Sequence, residues 1–575
     1  MPSSTANVAT GDWDVIVVGA GAAGMTAACT AAADGASVLL LEQGSVVGGT
    51  TAISGGMVWI PANHKMPSCG REDSLATARQ YLRQAAPDAD PALMDAFLQH
   101  GDAAIRHLEG KTSLRLRPVV TYPDYYPHLV GATLGGRVLE PEPFEGHELG
   151  ADFSLLRDPL PEFTLFGGMM ISRQDIPHLR RAGRSLRSTW HVAKLLLAHA
   201  RQRMGAHRGT TLYLGNALAA RLLLSARRLG VEIRTGVQIS ALRKVEDRIT
   251  GVEVAQGDDA PQTLGARRAV ILATGGISHA SELRARHVPP AAGSLTATVR
   301  PGNATAGALL AQAAGASMSV PTGHGAFWVP ASTFTRADGS PVVYPHTVAD
   351  RGKPGVIAID RRGMRFVNEA LSYHEFVRAQ LANADTAIPA WLVCDRRFLW
   401  KYGLGRIKPF TLSVGREIAE GYLWRADTLE QLALRIDVPQ DALVQTLARY
   451  NDHALRGEDP DFGKGSDAYQ RHLGDADQKP NPCIAPITRA PFYAIQVRPA
   501  DLGMSAGLRT DVHARVLDAS GQAIAGLYAC GNDMASVMAG AYPGPGITLG
   551  PALTFGWIAA RHALGRHDNS KGSST

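Results

Sequence analysis

Apolar residues gather in short β-branched runs near both ends of the chain, and each run closes on glycines or on a single acid. Residues 14–18, DVIVV, have the pattern of a buried parallel strand and lead directly into GAGAAG and an Ala-rich helical stretch. A second run, SVLLLE, ends at Glu42. From 230 to 254, GVEIRTGVQISALRKVEDRITGVEV alternates like a set of antiparallel strands. RAVILATGG (268–276) predicts another buried strand that ends on glycines.

The texture changes between about 300 and 488. Pro-rich connections, the run RGKPGVIAID, and apolar spacings of three and four through DTLEQLALRI and DALVQTLARYNDHA predict a separate α+β unit. The chain then returns with LYACGN and a helix starting near Pro551. The expected architecture is α/β: a Rossmann-like nucleotide-binding domain over 10–298 and 489–575, interrupted by a substrate-capping domain over 299–488. The tails MPSSTANVATG and DNSKGSST read as disordered.

One further stretch stands apart. Between His178 and Arg208 lie eight cations (Arg180, Arg181, Arg184, Arg187, Lys194, Arg201, Arg203, Arg208) and no acid. Leu186, Trp190, Leu197 and Met204 fall at spacings of four, seven and seven, so they share one face of a helix. This predicts a basic amphipathic helix within an insertion over 151–215. It either packs on the body of the protein or rests on anionic lipid.

Composition narrows the class. At 575 residues and 45% hydrophobic content, the chain is long enough for two or more cores. A net charge of +6 is too small to imply nucleic acid. The five cysteines form no C-x-x-C pair, which argues against a disulfide framework, a zinc site or an iron–sulfur cluster. No apolar run reaches the roughly 18 residues that span a bilayer, and the N-terminus lacks a signal-peptide pattern. The expectation is a cytoplasmic protein without a metal, with peripheral contact at the inner face of the membrane through 178–208 as the alternative.

The chemistry begins at Gly19, Ala20, Gly21, Ala22, Ala23 and Gly24. This turn offers an approachable backbone and a helix N-terminus that favours the negative charge of a pyrophosphate. Glu42, 18 residues beyond Gly24, closes the next strand where a carboxylate accepts ribose hydroxyl protons. The following segment, GSVVGGTTAISGGMVW, adds a second small-residue surface from Gly48, Gly49, Thr50, Thr51, Ser54, Gly55 and Gly56, against which a flavin could lie. Val237, Ala273, Gly275, Gly276, Gly531, Asn532 and Leu549 complete the candidate cofactor contacts. The last of these open a second helix N-terminus.

Together these motifs resemble the fumarate reductase and succinate dehydrogenase flavoprotein superfamily. The resemblance implies FAD, and the absence of histidine from 44–59 implies that it is bound non-covalently. The soluble fumarate reductases carry arginines where this chain has Tyr373 and Thr548. Three further motifs resemble the 3-ketosteroid dehydrogenase family in residue order: YPDYYPH with Tyr125, NEALSYHEF with Tyr373, and AYPGPG with Tyr542 and Gly546.

That resemblance implies Tyr373 as the base and Tyr125 as its support, with Tyr126 as the less favoured choice. It also implies an oxyanion hole from the Tyr542 hydroxyl and the Gly546 N–H. Ser372 stands where that family usually has proline. The implied substrate is a 3-ketosteroid desaturated at its 1,2 bond; 4,5-desaturation or a small cyclic ketone such as cyclohexanone is the alternative, ahead of alkene reduction. With one dinucleotide fingerprint and no metal relay, electrons are expected to leave to an external acceptor such as a quinone.

Overall fold

The computed structural model describes residues 12–172, 174–255, 262–299, 306–320 and 325–566. Both sequence-expected disordered tails lie outside them, as does His324 in the run GHGAFWVP, whose His324, Phe327 and Trp328 read from the sequence as either pocket lining or core. The centre of the molecule is a sheet of eight strands. Five of these run parallel, in the spatial order Glu232–Arg234, Val38–Leu41, Asp12–Val18, Gln262–Leu272 and Ala523–Ala529. Asp12–Val18 and Val38–Leu41 are apolar along almost their whole length because helices cover both faces of a parallel sheet. Helix Ala22–Ala33 packs on it together with the C-terminal helix Leu549–Ala563.

One difference from the sequence pattern concerns this sheet. The stretch 230–254 is not wholly antiparallel: Glu232–Arg234 pairs parallel to Val38–Leu41, and only Gln238–Val245 and Arg248–Ala255 form a hairpin. Gly236, at a φ of 71°, makes the turn that separates the two.

A second sheet of six strands is built on the long strand Phe492–Met504, which pairs with Ala326–Thr335 on one side and Ala390–Asp395 on the other. Helices Leu429–Arg435 and Gln440–Arg456 cover it, where apolar spacings of three and four predicted helix. The division expected at 488/489 does not follow this sheet. Phe492–Met504 carries its central pairings, so we place the return to the first domain after Met504.

The basic stretch also differs from its sequence reading. Two helices form, Asp175–Arg181 and Leu186–Gln202, instead of one. Gly183 turns between them at a φ of 79°, and the Ser185 hydroxyl caps the second helix by accepting from Ser188 N. The expected apolar face does not pack on the body: Leu186, Trp190, Leu197 and Met204 are 92%, 65%, 54% and 82% exposed. Among the described residues, no helix is long and apolar enough to cross a membrane.

Inside the capping unit a buried ion cluster anchors the segment GMRFVNEALSYHEF. Arg365 contacts Glu369 at 2.9 Å and Asp459 at 2.7 Å, and Lys464 reaches Glu369 at 3.1 Å. Burial alone would raise the Glu369 carboxyl, but the Arg365 and Lys464 charges hold it at about 2. Removing one member leaves charge buried and unpaired. Arg365→Met should therefore lower stability by about 3 kcal/mol, read as an earlier urea midpoint that Arg365→Lys partly restores; an unchanged midpoint would contradict the role of the cluster.

Candidate active site

Several glycine-rich turns and the acid named from the sequence lie at the C-terminal ends of the parallel strands, where ligands bind in open α/β sheets. The Gly19 turn follows Asp12–Val18, Glu42 follows Val38–Leu41, Ala273 to Gly276 follow Gln262–Leu272, and Gly531 with Asn532 follows Ala523–Ala529. Local packing dictates glycine at several of them. A Cβ on Gly19 would strike the Ala273 carbonyl, one on Gly24 would strike the Gly19 carbonyl, and one on Gly56 would strike Leu214. Gly276 packs similarly on Asn532, and Gly531 on Ala23.

Other positions leave room. A Cβ on Gly21 meets nothing nearer than Thr51 Oγ1 at 3.9 Å, Gly49 faces Gly21 with only 3.7 Å from its Cβ position to the Gly21 Cα, and Gly55 and Gly275 face open space. Helix Ala22–Ala33 begins at Gly21 with no side-chain cap and no acid in its first turn. This bare, dipole-favoured end suits a pyrophosphate.

The polar residues divide between binding and loop-building. Glu42 accepts from Ala20 N at 2.9 Å and from Gly44 N at 2.8 Å, which fixes its carboxylate beside the turn, and its carbonyl holds Val237 N. Thr51 Oγ1 accepts from Ala22 N, Thr50 Oγ1 accepts from Val299 N, and Ser54 bridges Thr51 O and Gly56 N. Ser54 thus shapes the loop. Helix Leu549–Ala563 starts at Thr548, again without a side-chain cap or early acid. Asp533, absent from the sequence reading, holds the 274–276 loop by accepting from Thr274 N and Gly276 N. Its only local signal was its place beside Asn532.

The three tyrosines named from separate motifs meet. Tyr125 donates to Tyr373 at 3.1 Å, and Tyr373 donates to Tyr542 at 2.8 Å. The Tyr542 hydroxyl proton is thereby left for another acceptor. Tyr126 points elsewhere, donating to Glu375 at 2.8 Å.

Each tyrosine is fixed by its surroundings. Tyr373 is the first residue of helix Tyr373–Ala382, which Ser372 caps by accepting from Glu375 N. The hydroxyl supplies the cap that proline could not. Tyr125 is tied to the Tyr542 turn by Tyr125 N donating to Pro543 O, and Asp124 beside it accepts from Trp59 and Arg137. Phe327, His374, Tyr469 and Tyr122 complete the aromatic surroundings; Phe327 lies edge-on to Tyr542 at 5.5 Å and Tyr469 tilts over Tyr125 at 4.6 Å. Tyr122 and His374 lie within the motifs that carry Tyr125 and Tyr373, and Phe327 falls in the run GHGAFWVP, where core packing is an equally good reading; Tyr469 has no local sequence signal.

Desolvation pushes the Tyr373 and Tyr125 phenols well above the usual tyrosine range, and the neighbouring phenols add to it. Tyr542 rises less, to about 12, because burial is partly offset by the hydrogen bond from Tyr373. The hydrogen bond from Tyr125 and the N-terminus of its own helix act in the opposite direction on Tyr373.

The Pro-Gly-Pro-Gly turn has a different first purpose from the one its bareness suggests. Gly544, Gly546 and Gly550 are glycines because the turn closes on the strand around Trp59, where any Cβ would collide with Met57 or Trp59. Gly546 gives its carbonyl to Trp59 N and Gly550 N. Its own N–H, at a φ of 98°, carries no hydrogen bond among the described residues.

Comparison with known proteins decides the class. Residues 14–549 match the FAD binding domain family. The chain belongs to that family. It is 38% identical to 4-oxocyclohex-2-ene-1-carboxylate 5-dehydrogenase of Sinomonas cyclohexanicum over 95% of this chain and 93% of that one. It is 35% identical to 3-oxosteroid 1-dehydrogenase of Mycolicibacterium smegmatis over 96% of each. Its fold matches the 3-ketosteroid delta1-dehydrogenase of Sterolibacterium denitrificans, solved with 1,4-androstadiene-3,17-dione, with a TM-score of 0.89 and 36% identity over 97% of this chain and 100% of that one. Within the fumarate reductase and succinate dehydrogenase flavoprotein superfamily, this family member is closely related to the 3-ketosteroid 1-dehydrogenases. It is an FAD-dependent oxidoreductase acting on CH–CH groups, with FAD held non-covalently.

The open cradle at Gly21 and Gly49 fits that cofactor. Gly21→Ala has room to fold but fills the place of the pyrophosphate. The purified variant should keep its circular dichroism and lose flavin, with FAD affinity down by about tenfold; full flavin content would contradict the assignment.

Proposed function

We propose that this enzyme introduces a double bond next to the carbonyl of a ring ketone, and that the substrate is a 3-ketosteroid desaturated at its 1,2 bond. The observation that carries this is the chain of hydroxyls from Tyr125 through Tyr373 to Tyr542, with the unpaired Gly546 N–H four residues further on. When bound, FAD supplies a two-electron acceptor for the hydride that leaves the β-carbon. The residues of the cradle would hold it: Gly19, Gly21, Gly24, Glu42, Gly48, Gly49 and the N-terminus at Leu549.

The remaining chemistry belongs to the protein. The ketone oxygen takes the free Tyr542 O–H and the Gly546 N–H, which stabilise charge developing on it as the α-proton departs. Tyr373 accepts that proton. Tyr125 donates to the Tyr373 oxygen and so favours its phenolate form. In the resting arrangement Tyr373 donates its hydrogen bond to Tyr542, so the Tyr542 O–H is already available to the ketone oxygen, and Tyr373 must lose its own proton before it can act as the base.

The site speaks against a dicarboxylate. Thr548 is a helix cap and offers no guanidinium. Arg351, buried nearby, spends its donors on the carbonyls of His346, Thr347, Glu369 and Leu371. The wall of aromatic rings suits an apolar ring system. The relative acting on an oxocyclohexene carboxylate keeps a small ring ketone as the second reading. We assign re-oxidation to an external acceptor such as a quinone.

For the insertion, we propose peripheral contact with anionic lipid, supported by the exposure of Leu186, Trp190, Leu197 and Met204 among cations.

The substrate is tested by mixing holoenzyme anaerobically with androst-4-ene-3,17-dione, cyclohexanone or succinate. The steroid should bleach the flavin, and Tyr373→Phe should slow bleaching by about 10²- to 10⁴-fold. Bleaching by cyclohexanone alone would move the substrate to small ketones, and bleaching by succinate would overturn the tyrosine assignment. Because burial raises the Tyr373 phenol and the base is the deprotonated form, kcat/KM should climb with unit slope through pH 9; a profile flat from pH 7 to 10 would contradict ionisation of Tyr373. Wild-type protein should sediment with vesicles containing phosphatidylglycerol and Trp190→Ser should not; equal sedimentation would refute the lipid contact.

A further inference from the structure

Away from the tyrosines, a groove of about 800 Å³ lies between the insertion and the capping unit. Six cations line it: Arg181 and Arg184 from the insertion, and Arg396, Arg397, Lys401 and Arg489 from the cap. Only two carboxylates face them, Asp475 and Asp477. Asp475 is already committed, taking Lys401 at 2.6 Å and the Tyr402 hydroxyl at 2.6 Å, contacts that hold its carboxyl at about 2 against the effect of burial.

The fold concentrates this charge. Arg396 N donates to Arg489 O at 3.1 Å, which brings the two arginines together at one end of the cap sheet. The acid nearest them in sequence, Asp395, is buried and gives both oxygens to backbone N–H groups of Phe398, Thr488 and Arg489. No carboxylate lies within ion-pair distance of Arg181, Arg184, Arg396 or Arg489 among the described residues. These four are left without an acidic partner among the described residues, and guanidinium forks match phosphate oxygens.

The groove also has an apolar wall. Trp400 and Phe410, 45% and 39% exposed, meet edge to face at 5.6 Å. The volume lies within the range of ligand sites and exceeds what a lone phosphate fills. Arg184 stands two residues before Leu186, where the exposed apolar face of the insertion begins.

We propose that this groove binds the phosphodiester headgroup of an anionic phospholipid, with the arginines on the phosphate and Trp400 and Phe410 against the glycerol and first acyl carbons. The choice of lipid over a soluble phosphate ester rests on the lipid contact proposed for the insertion; the phosphate chemistry stands apart from it. The site is distinct from the catalytic centre and would fix the enzyme's orientation on a membrane surface.

Calorimetry on the holoenzyme separates these claims, using dihexanoyl phosphatidylglycerol below its micelle concentration, with dihexanoyl phosphatidylcholine and ADP as the other probes. Phosphatidylglycerol should bind and phosphatidylcholine should not. The double variant Arg396→Ala/Arg489→Ala should weaken phosphatidylglycerol at least about tenfold, Arg396→Lys/Arg489→Lys should recover part of it, and Trp190→Ser should leave it unchanged. Unaltered affinity in the double alanine variant, or no binding by wild type, would overturn the proposal. ADP binding more tightly than the lipid and lost in the same variant would overturn its lipid identity. Short-chain lipid binding without vesicle sedimentation would sink the insertion reading alone, and sedimentation without short-chain binding would sink the groove alone.

Discussion

The docking of the turn Tyr542–Gly546 against the strand around Trp59 is the joint on which the site depends. Gly546 O takes Trp59 N and Gly550 N, while Pro543 O takes Tyr125 N and the Tyr81 hydroxyl. One short turn therefore fixes Tyr542, ties Tyr125 to it, leaves the Gly546 N–H without a hydrogen bond among the described residues, and leads into helix Leu549–Ala563. Glycine is required at its contact points because Gly546 meets the Met57 backbone and Gly544 the Trp59 indole, with no room for a Cβ.

The supporting structure is costly and specific. Arg137 joins Asp73 and Asp124 in full burial beneath Tyr125. Arg365, Glu369, Lys464 and Asp459 do the same beneath the segment that ends at Tyr373. Buried pairs of this kind contribute little net stability but are expensive to break, so they hold register well. Tyr125 and Tyr373 thus each sit on a rigid ionic footing, while their own burial opposes ionisation. The balance between that opposition and the hydrogen bond from Tyr125 sets how readily Tyr373 can ionise.

Much of this was legible in the sequence because it is written locally. The strand, glycine turn, helix and acid around Gly19 and Glu42 fall within one short stretch, and the parallel sheet places them where the pattern implies. The tyrosine motifs could be read through their family resemblance, and the structure gives their flanking residues a job: Asp124 beside Tyr125, Arg365 and Glu369 before Tyr373, and the glycines after Tyr542. What stayed hidden depends on contacts distant in sequence. Tyr469 reaches the site through tertiary packing alone. Phe492–Met504 carries no local mark that makes it the centre of the capping sheet. The exposure of the Trp190 face could not be read from periodicity, which is the same for a packed face and a bare one.

The central claim is that Tyr542 and Gly546 together hold a ketone oxygen while Tyr373 faces the carbon beside it. The most direct measurement is a crystal structure of the FAD-loaded enzyme with a bound 3-ketosteroid. The account predicts the ketone oxygen about 3 Å from both the Tyr542 hydroxyl and the Gly546 nitrogen, with the Tyr373 oxygen over the adjacent ring carbon. A ketone oxygen held by other groups, or a ring whose α-carbon lies out of reach of Tyr373, would contradict it.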